Sequence, residues 1–348
     1  MKWVQRILIA VAALSFFVLL RKIRFEQIWS HLSQVGWGMA LILAQEIVAH
    51  CANTLGWRYA FTPSQAGRQP LGGLLRLRIA GDGINYLTPS GTIAGEFLRA
   101  QWLPHHHSTE ERYSSVAVAK FSQALGQALF ILLGLALVVG PLPLSQEGKP
   151  LFRYAPWVLM AVLSAVAAGA LWARRRGRRP PARATRRPQA QKPVSPWSSL
   201  GAVPQQCLNF LYAHPARFLL STFCFMFGFA WGTFEAYWIC RFLGAPVSPT
   251  TAMAIEVLSQ LFDMMFFMVP AKIGTQETGK TVVFAALGLK PSVGFAFGIV
   301  RHIRELSWAG LGLMLCSLRY KSPGRADPLQ HDPESLRQVA HARTCERQ

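Results

Sequence analysis

The residues with the greatest chemical potential in this sequence are charged side chains standing where charge is least expected. Glu235, Glu256, Asp263, Arg301, Arg304 and Glu305 all fall inside stretches that are otherwise apolar. At ~3 kcal/mol for each charge facing lipid, six would cost ~18 kcal/mol, more than the ~5–15 kcal/mol net stability of a typical domain. They must therefore face inward, pair, or sit at an interface. Glu256 and Asp263 are seven apart, on one helix face, and Arg301 and Glu305 are four apart, spaced to pair along a helix with Arg304 beside them. Two uses fit this pattern. The arginines bind a lipid headgroup phosphate while the carboxylates tune it or carry protons, with Glu256 and Asp263 as the proton-coupling candidates. Alternatively, the cluster is a salt-bridge network that locks helices together.

A second constellation lies in two interrupted stretches, residues 71–103 and 270–289. The first contains Pro89, Glu96 and Arg99, and the second contains Pro270, Glu277 and Lys280 at the same spacing. A glycine precedes each glutamate, Gly95 directly and Gly274 three residues ahead. Interrupted helices at corresponding positions of two halves are the mark of internally repeated transporter folds. Broken backbone at membrane depth persists only where protein or a water-filled cavity surrounds it. Each proline is placed to open a half-helix, whose N-terminus attracts an anion such as a lipid phosphate or the nearby glutamate itself.

Other readings of polar residues carry less. Residues 274–281 read GTQETGKT, which matches a nucleotide phosphate loop, but that loop works only between a strand and a helix, and no strand–helix alternation surrounds it. The six cysteines, Cys51, Cys207, Cys224, Cys240, Cys316 and Cys345, form no Cys-x-x-Cys pair and read as small core residues. His105, His106 and His107 are consecutive and cannot converge on one metal from a helix or strand. No cofactor or metal is expected.

The elements that position these residues are membrane helices. Residues 114–140 carry Lys120 as their one charge, 155–173 carry none, 218–240 have Glu235 alone, and 251–269 have Glu256 and Asp263. Each is long enough for the roughly 20 apolar residues a spanning helix needs. Spans are expected near 4–20, 37–61 (with Glu46 and His50 inside it), 114–140, 154–173, 217–240, 251–269 and 291–318. The first resembles a secretory signal, yet it runs straight into Arg21, Lys22 and Arg24 without a small-residue cleavage site, so it reads as a retained helix. The fold class is all-α: a polytopic integral membrane bundle with two broken, re-entrant segments and an internal repeat.

Net charge is +20, and nine basic residues with no acidic one crowd residues 174–192. With Pro180, Pro181, Pro188 and Pro193 among them, this is a cytoplasmic positive-inside loop, 174–198, rather than a nucleic-acid surface. The membrane domain is 1–318, and the mixed-charge tail 319–348 reads as disordered.

These residues carry a family resemblance. Residues 82–103, DGINYLTPSGTIAGEFLRAQWL, look like the Asn-x-Leu-x-Pro and Gly-Gly-Glu-x-x-Arg signatures of the lysylphosphatidylglycerol synthase transmembrane superfamily. The Pro-x-x-x-Gly-x-Gln-Glu-x-Gly pattern falls on Pro270, Gly274, Gln276, Glu277 and Gly279, and with GIVRHIRELSWAGLG it resembles the hopanoid-biosynthesis-associated, HpnL-like branch. Ala94 stands where that family more often has Gly, and Lys272 adds a charge inside the second break. The resemblance implies a flippase-like lipid transporter of the bacterial inner membrane that handles hopanoids or polar-head lipids. Its motif residues fall on Asn85, Pro89, Glu96, Arg99, Gln276, Glu277, Arg301, Arg304 and Glu305; all but Pro89 are expected to bind substrate. Membrane lipids and lipid-biosynthesis enzymes are the implied partners. Lysyl-lipid synthesis needs a soluble domain after the membrane part, so aminoacyl transfer is not expected. Two alternatives remain: an intramembrane enzyme using Glu96 and Glu277 as general acid and base, and a non-transporting scaffold of a lipid-synthesis complex.

Overall fold

The structure, a computed structural model, describes residues 35–88, 93–104, 108–138, 157, 203–266, 269–272 and 274–321. The helix expected at 4–20, the span at 154–173 (Trp157 apart), the loop at 174–198, Pro89, His105–His107 and the tail beyond Lys321 lie outside these residues.

Every regular element among the described residues is helical. In chain order they are α1 (Gly38–Tyr59), α2 (Pro63–Ala66), α3 (Leu71–Leu87), α4 (Ile93–Trp102), α5 (Thr109–Val138), α6 (Val203–Ala213), α7 (Pro215–Ala230), α8 (Gly232–Phe242), α9 (Pro249–Met265), a 3-10 turn (Pro270–Lys272), α10 (Thr275–Ala286) and α11 (Pro291–Lys321). Prolines at the first turn fit helix starts, where a missing N–H leaves nothing unpaired. At α9 the preceding Ser248 adds a side-chain cap, its Oγ accepting from Thr251 N at 3.1 Å.

Two stretches, Thr109–Val138 (30 residues) and Pro215–Phe242 (28 residues), are long and apolar enough to cross a membrane. In the second, α7 passes into α8 at Trp231, whose indole Nε1 donates to Gln45 O on α1 at 3.1 Å. The bundle exposes apolar side chains and buries charged ones beside its apolar core. Leu129, Leu133 and Leu137 form an exposed stripe at helical spacing on α5, while Glu235 is 1% exposed and Lys280 0%.

The helices pair in two similar sets. In the first, α3 and α4 form a broken hairpin and α4 lies along α5; in the second, α9 and α10 form the hairpin and α10 lies along α11. The long helices that close each set have 30 and 31 residues. The sets meet where α3 crosses α11: a Cβ on Gly312 would come within 2.7 Å of Ile79 O, and one on Gly83 within 2.9 Å of Ala309 O. Backbones this close admit only glycine, which explains these positions better than flexibility does.

That crossing corrects the expected first break. Gly81, Asp82, Gly83 and Asn85 lie within the continuous helix α3, which ends at Leu87, and α4 begins at Ile93. Pro270 does not open its half-helix either. Pro270 lies five residues before Thr275, and α10 starts from a left-handed Gly274 (φ 72°).

Candidate functional site

Charged and polar residues from four helices converge between the two sets. From α1 come Glu46, His50 and Asn53 on one face, and from α11 come Arg301, Arg304, Glu305 and Trp308. Glu235 comes from α8, and α9 supplies Glu256, Gln260 and Asp263. The two arginines sit well inside their helix. Arg304 is thirteen residues into the 31-residue α11, so it lies roughly 20 Å from the helix start at 1.5 Å per residue.

The guanidinium of Arg301 donates from Nη2 to Glu235 Oε2 at 2.8 Å and to Glu256 Oε2 at 2.5 Å, and from Nε to Glu235 Oε2 at 3.2 Å. Glu256 Oε1 accepts from Gln260 Nε2 at 2.8 Å, and Gln260 Oε1 accepts in turn from Gln127 Nε2 of α5 at 2.8 Å. Arg304 pairs with Glu46, with Glu305 Oε1 at 3.3 Å and with Glu235 Oε1 at 3.1 Å. The expected Arg301–Glu305 pairing along the helix is thus replaced. Arg301 reaches across to α8 and α9, and Glu305 turns to Arg304 and to Lys272 Nζ at 3.3 Å. A guanidinium fork gains more from two carboxylates on facing helices than from one on its own surface.

Each hairpin carries its own clamp. In the first, Asp82 on α3 pairs with Arg99 on α4 and accepts from Arg78 Nε at 3.0 Å, while Arg99 Nη1 donates to Glu96 at 2.6 Å. In the second, Asp263 on α9 accepts from Lys280 Nζ of α10 at 2.9 Å. The aspartate and its cation are 17 residues apart in both. Each glutamate also ties its hairpin to the long helix that follows. Glu96 meets Lys120 at 3.4 Å across 24 residues, and Glu277 meets His302 Nδ1 at 2.6 Å across 25. Asp82, Glu96 and Arg99 therefore match Asp263, Glu277 and Lys280, each 181 positions later.

Of the expected site residues, Arg301, Arg304, Glu305, Glu256 and Asp263 join the central cluster, and Glu96, Arg99 and Glu277 belong to the clamps. Glu96 and Glu277 occupy the first turns of α4 and α10, so the carboxylate attracted to each helix start is the protein's own. As an acid–base pair they would have to leave separate ion pairs. Asn85 ties α3 to α4, its Oδ1 accepting from Gly95 N at 2.7 Å. Gln276 is fully buried, and neither amide atom has a partner. Sequence reasoning missed Asp82, Arg78 and His302 as members of the site, and gave Glu46, Glu235 and Lys272 no binding role. For Asp82 the repeated 17-residue spacing to a cation was the available signal.

Two adjoining cavities of about 240 and 360 Å³ open onto this network and share Glu46, Asn53, Arg304 and Glu305. The lining of the larger has five carboxylates, Glu46, Glu235, Glu256, Asp263 and Glu305, against three cations, Lys272, Arg301 and Arg304. Its guanidiniums are already engaged by carboxylates, so an incoming phosphate would have to displace an internal partner.

The helical bundle with buried charge and two broken hairpins agrees with a match over residues 3–312 to the family model described as lysylphosphatidylglycerol synthase TM region. The chain belongs to this family. No curated protein and no solved structure matches it. Family membership places the bundle in a membrane and accounts for its apolar outer surface. Residues 275–281 of GTQETGKT lie within helix α10, and Lys280 pairs with Asp263.

Proposed function

We propose that this protein is a flippase-like lipid transporter, spanning a bacterial inner membrane several times and passing a polar headgroup through the cavity between its two sets of helices. The observation that carries this reading is the polar cavity at mid-height of long helices whose outer faces are apolar. Charge at that depth is costly unless it serves a pathway or a pairing network. Here the network surrounds open volume instead of closing it. Broken hairpins beside the cavity supply the elements that would rock or tilt around a headgroup while the acyl chains stay in lipid. Hopanoids and their polar-head derivatives are the cargo class suggested by the branch resemblance.

Reconstitution into vesicles with acyl-NBD phosphatidylglycerol tests this, with dithionite quenching to count lipid reaching the outer leaflet. Asn53 borders both cavities and has no hydrogen-bond partner for its Oδ1. Asn53→Leu should slow flipping at least tenfold, whereas Leu133→Ala on the exposed stripe of α5 should leave it unchanged. Wild-type rates equal to those of protein-free vesicles for phosphatidylglycerol, a glycosyl lipid and a hopanoid probe would refute transport. An imposed proton gradient then separates two modes: flipping that ignores it is facilitated, and flipping that stops on its collapse is coupled, with Glu256 and Asp263 as the first carboxylates to test.

A further inference from the structure

The break between α9 and α10 holds its backbone where L-residues resist. Ala271 (φ 50°) and Lys272 (φ 52°) are consecutive left-handed residues, and Gly274 follows at 72°. Cβ crowding disfavours that conformation for anything but glycine, so a retained instance needs something to secure it. Two contacts do. Tyr86 Oη on α3 donates to Ala271 O at 3.0 Å, and the Lys272 ammonium reaches into the larger cavity between Asp263 Oδ2 at 2.8 Å and Glu305 Oε1 at 3.3 Å.

Each carboxylate also has a second cation, although Arg304 is shared with Glu46 and Glu235. Asp263 already has Lys280, fully buried outside the cavity, and Glu305 already has Arg304. Lys272 is also the most accessible cation of the lining, with 29% of its side chain exposed against 6% for Arg301 and 9% for Arg304. The corresponding position of the first set, 181 residues earlier, is Gly91. The ammonium is thus an addition to one half, not part of the duplicated clamp. With it, the lining carries three cations against five carboxylates; without it, a gap flanked by two carboxylates opens.

We propose that Lys272 is a specificity-determining residue: a tethered cation that fills the place between Asp263 and Glu305 which a cationic headgroup would otherwise take. The cavity accordingly admits a polar headgroup without positive charge and turns away one bearing an ammonium. The flipping part of this proposal rests on the transport reading above; the occupancy part does not.

The test uses Lys272→Met, which removes the charge and keeps the stem. Lys272→Asn serves as a second charge-free variant that tolerates the left-handed backbone, and Lys272→Arg retains a cation. Purified proteins in detergent are melted with ethanolammonium chloride and with sodium chloride at equal ionic strength. A saturable rise of several degrees specific to ethanolammonium is expected in the Met and Asn variants and absent in wild type and Lys272→Arg. No specific shift in either charge-free variant, or an equal shift in wild type, overturns the proposal. In vesicles, the charge-free variants should flip an acyl-NBD trimethylammonium lipid at least tenfold faster than wild type, with a neutral acyl-NBD glycosyl lipid changed less than twofold. Faster flipping of both lipids alike would make Lys272 a gate without selectivity. Loss of phosphatidylglycerol flipping with no gain for the cationic lipid would make it an anion contact, and either result overturns the proposal. If no protein flips any probe, transport itself falls, and the melting experiment still decides the occupancy.

Discussion

Arg301 offers the most quantitative test of how the bundle holds its charge. Its guanidinium joins α8, α9 and α11, and replacing it with methionine strands the two acids unequally. Glu235 keeps Arg304 at 3.1 Å, whereas Glu256 keeps only the neutral amide of Gln260 at 2.8 Å. Removing one partner of a buried pair typically costs about 3–5 kcal/mol, and because Glu235 remains paired the lower end, about 3 kcal/mol, applies to Arg301→Met. Glu256→Gln keeps the amide contact with Gln260 and leaves Arg301 on Glu235, so it loses one charged hydrogen bond, about 1.5 kcal/mol. The double variant restores charge balance, since the acid left unpaired by the first change is the one neutralised by the second. Its loss should be about 2.5 kcal/mol instead of the additive ~4.5, a coupling of about 2 kcal/mol within the range found for contacting residues. SDS titration of the purified protein in mixed micelles, followed by far-ultraviolet circular dichroism, gives all four stabilities. Additivity to within about 0.5 kcal/mol would show that Arg301 does not hold Glu256, and the ion-pair account of the site would fail.

Two further outcomes follow from local geometry. A Cβ on Gly126 would meet Thr222 O at 2.8 Å and Met226 N at 2.9 Å, both backbone, so Gly126→Ala should lower stability by about 1–3 kcal/mol as α5 and α7 separate. Gly72 has nothing within 4 Å of such a Cβ, and Gly72→Ala should be neutral or stabilising by up to about 1 kcal/mol; equal melting shifts for the two would refute the close-approach argument. Gln276→Met should stabilise the protein by about 1–2 kcal/mol, because it removes a fully buried amide with neither atom paired. A fall in melting temperature in detergent would show that the amide makes a bond in the native protein.

The helices were legible from run length: 37–61, 251–269 and 291–318 became Gly38–Tyr59, Pro249–Met265 and Pro291–Lys321, and the expected spans 114–140 and 217–240 fall on Thr109–Val138 and Pro215–Phe242, both long and apolar enough to cross a membrane. Where the chain breaks was less so. A cluster of glycines around Asp82 resembles an interruption, but at Gly83 it serves a helix crossing, and only the partner Gly312 reveals that. The indole bond from Trp231 to α1 was invisible because its partner, Gln45, is far away in sequence. For the site, charge in an apolar run betrayed Arg301, Arg304, Glu305, Glu256 and Asp263. Their partners could not be read the same way. Periodicity pairs Arg301 with Glu305 four residues on, whereas the acids it holds stand 45 and 66 residues away, and only tertiary structure brings them near.

The matched clamps bear on energetics as well as architecture. If the two working states of such a protein arise by its halves exchanging roles, chemically identical halves would make those states equal in free energy. Every mismatch between corresponding positions then becomes a thumb on the balance. Arg99 faces Asp82 where Lys280 faces Asp263, and Lys120 holds Glu96 where a histidine holds Glu277. A difference of only about 1.4 kcal/mol between the clamps shifts the ratio of states tenfold. The resting side of the membrane to which the cavity opens would then be written in these few substitutions, and exchanging Arg99 and Lys280 would redraw it without altering a residue of the cavity lining.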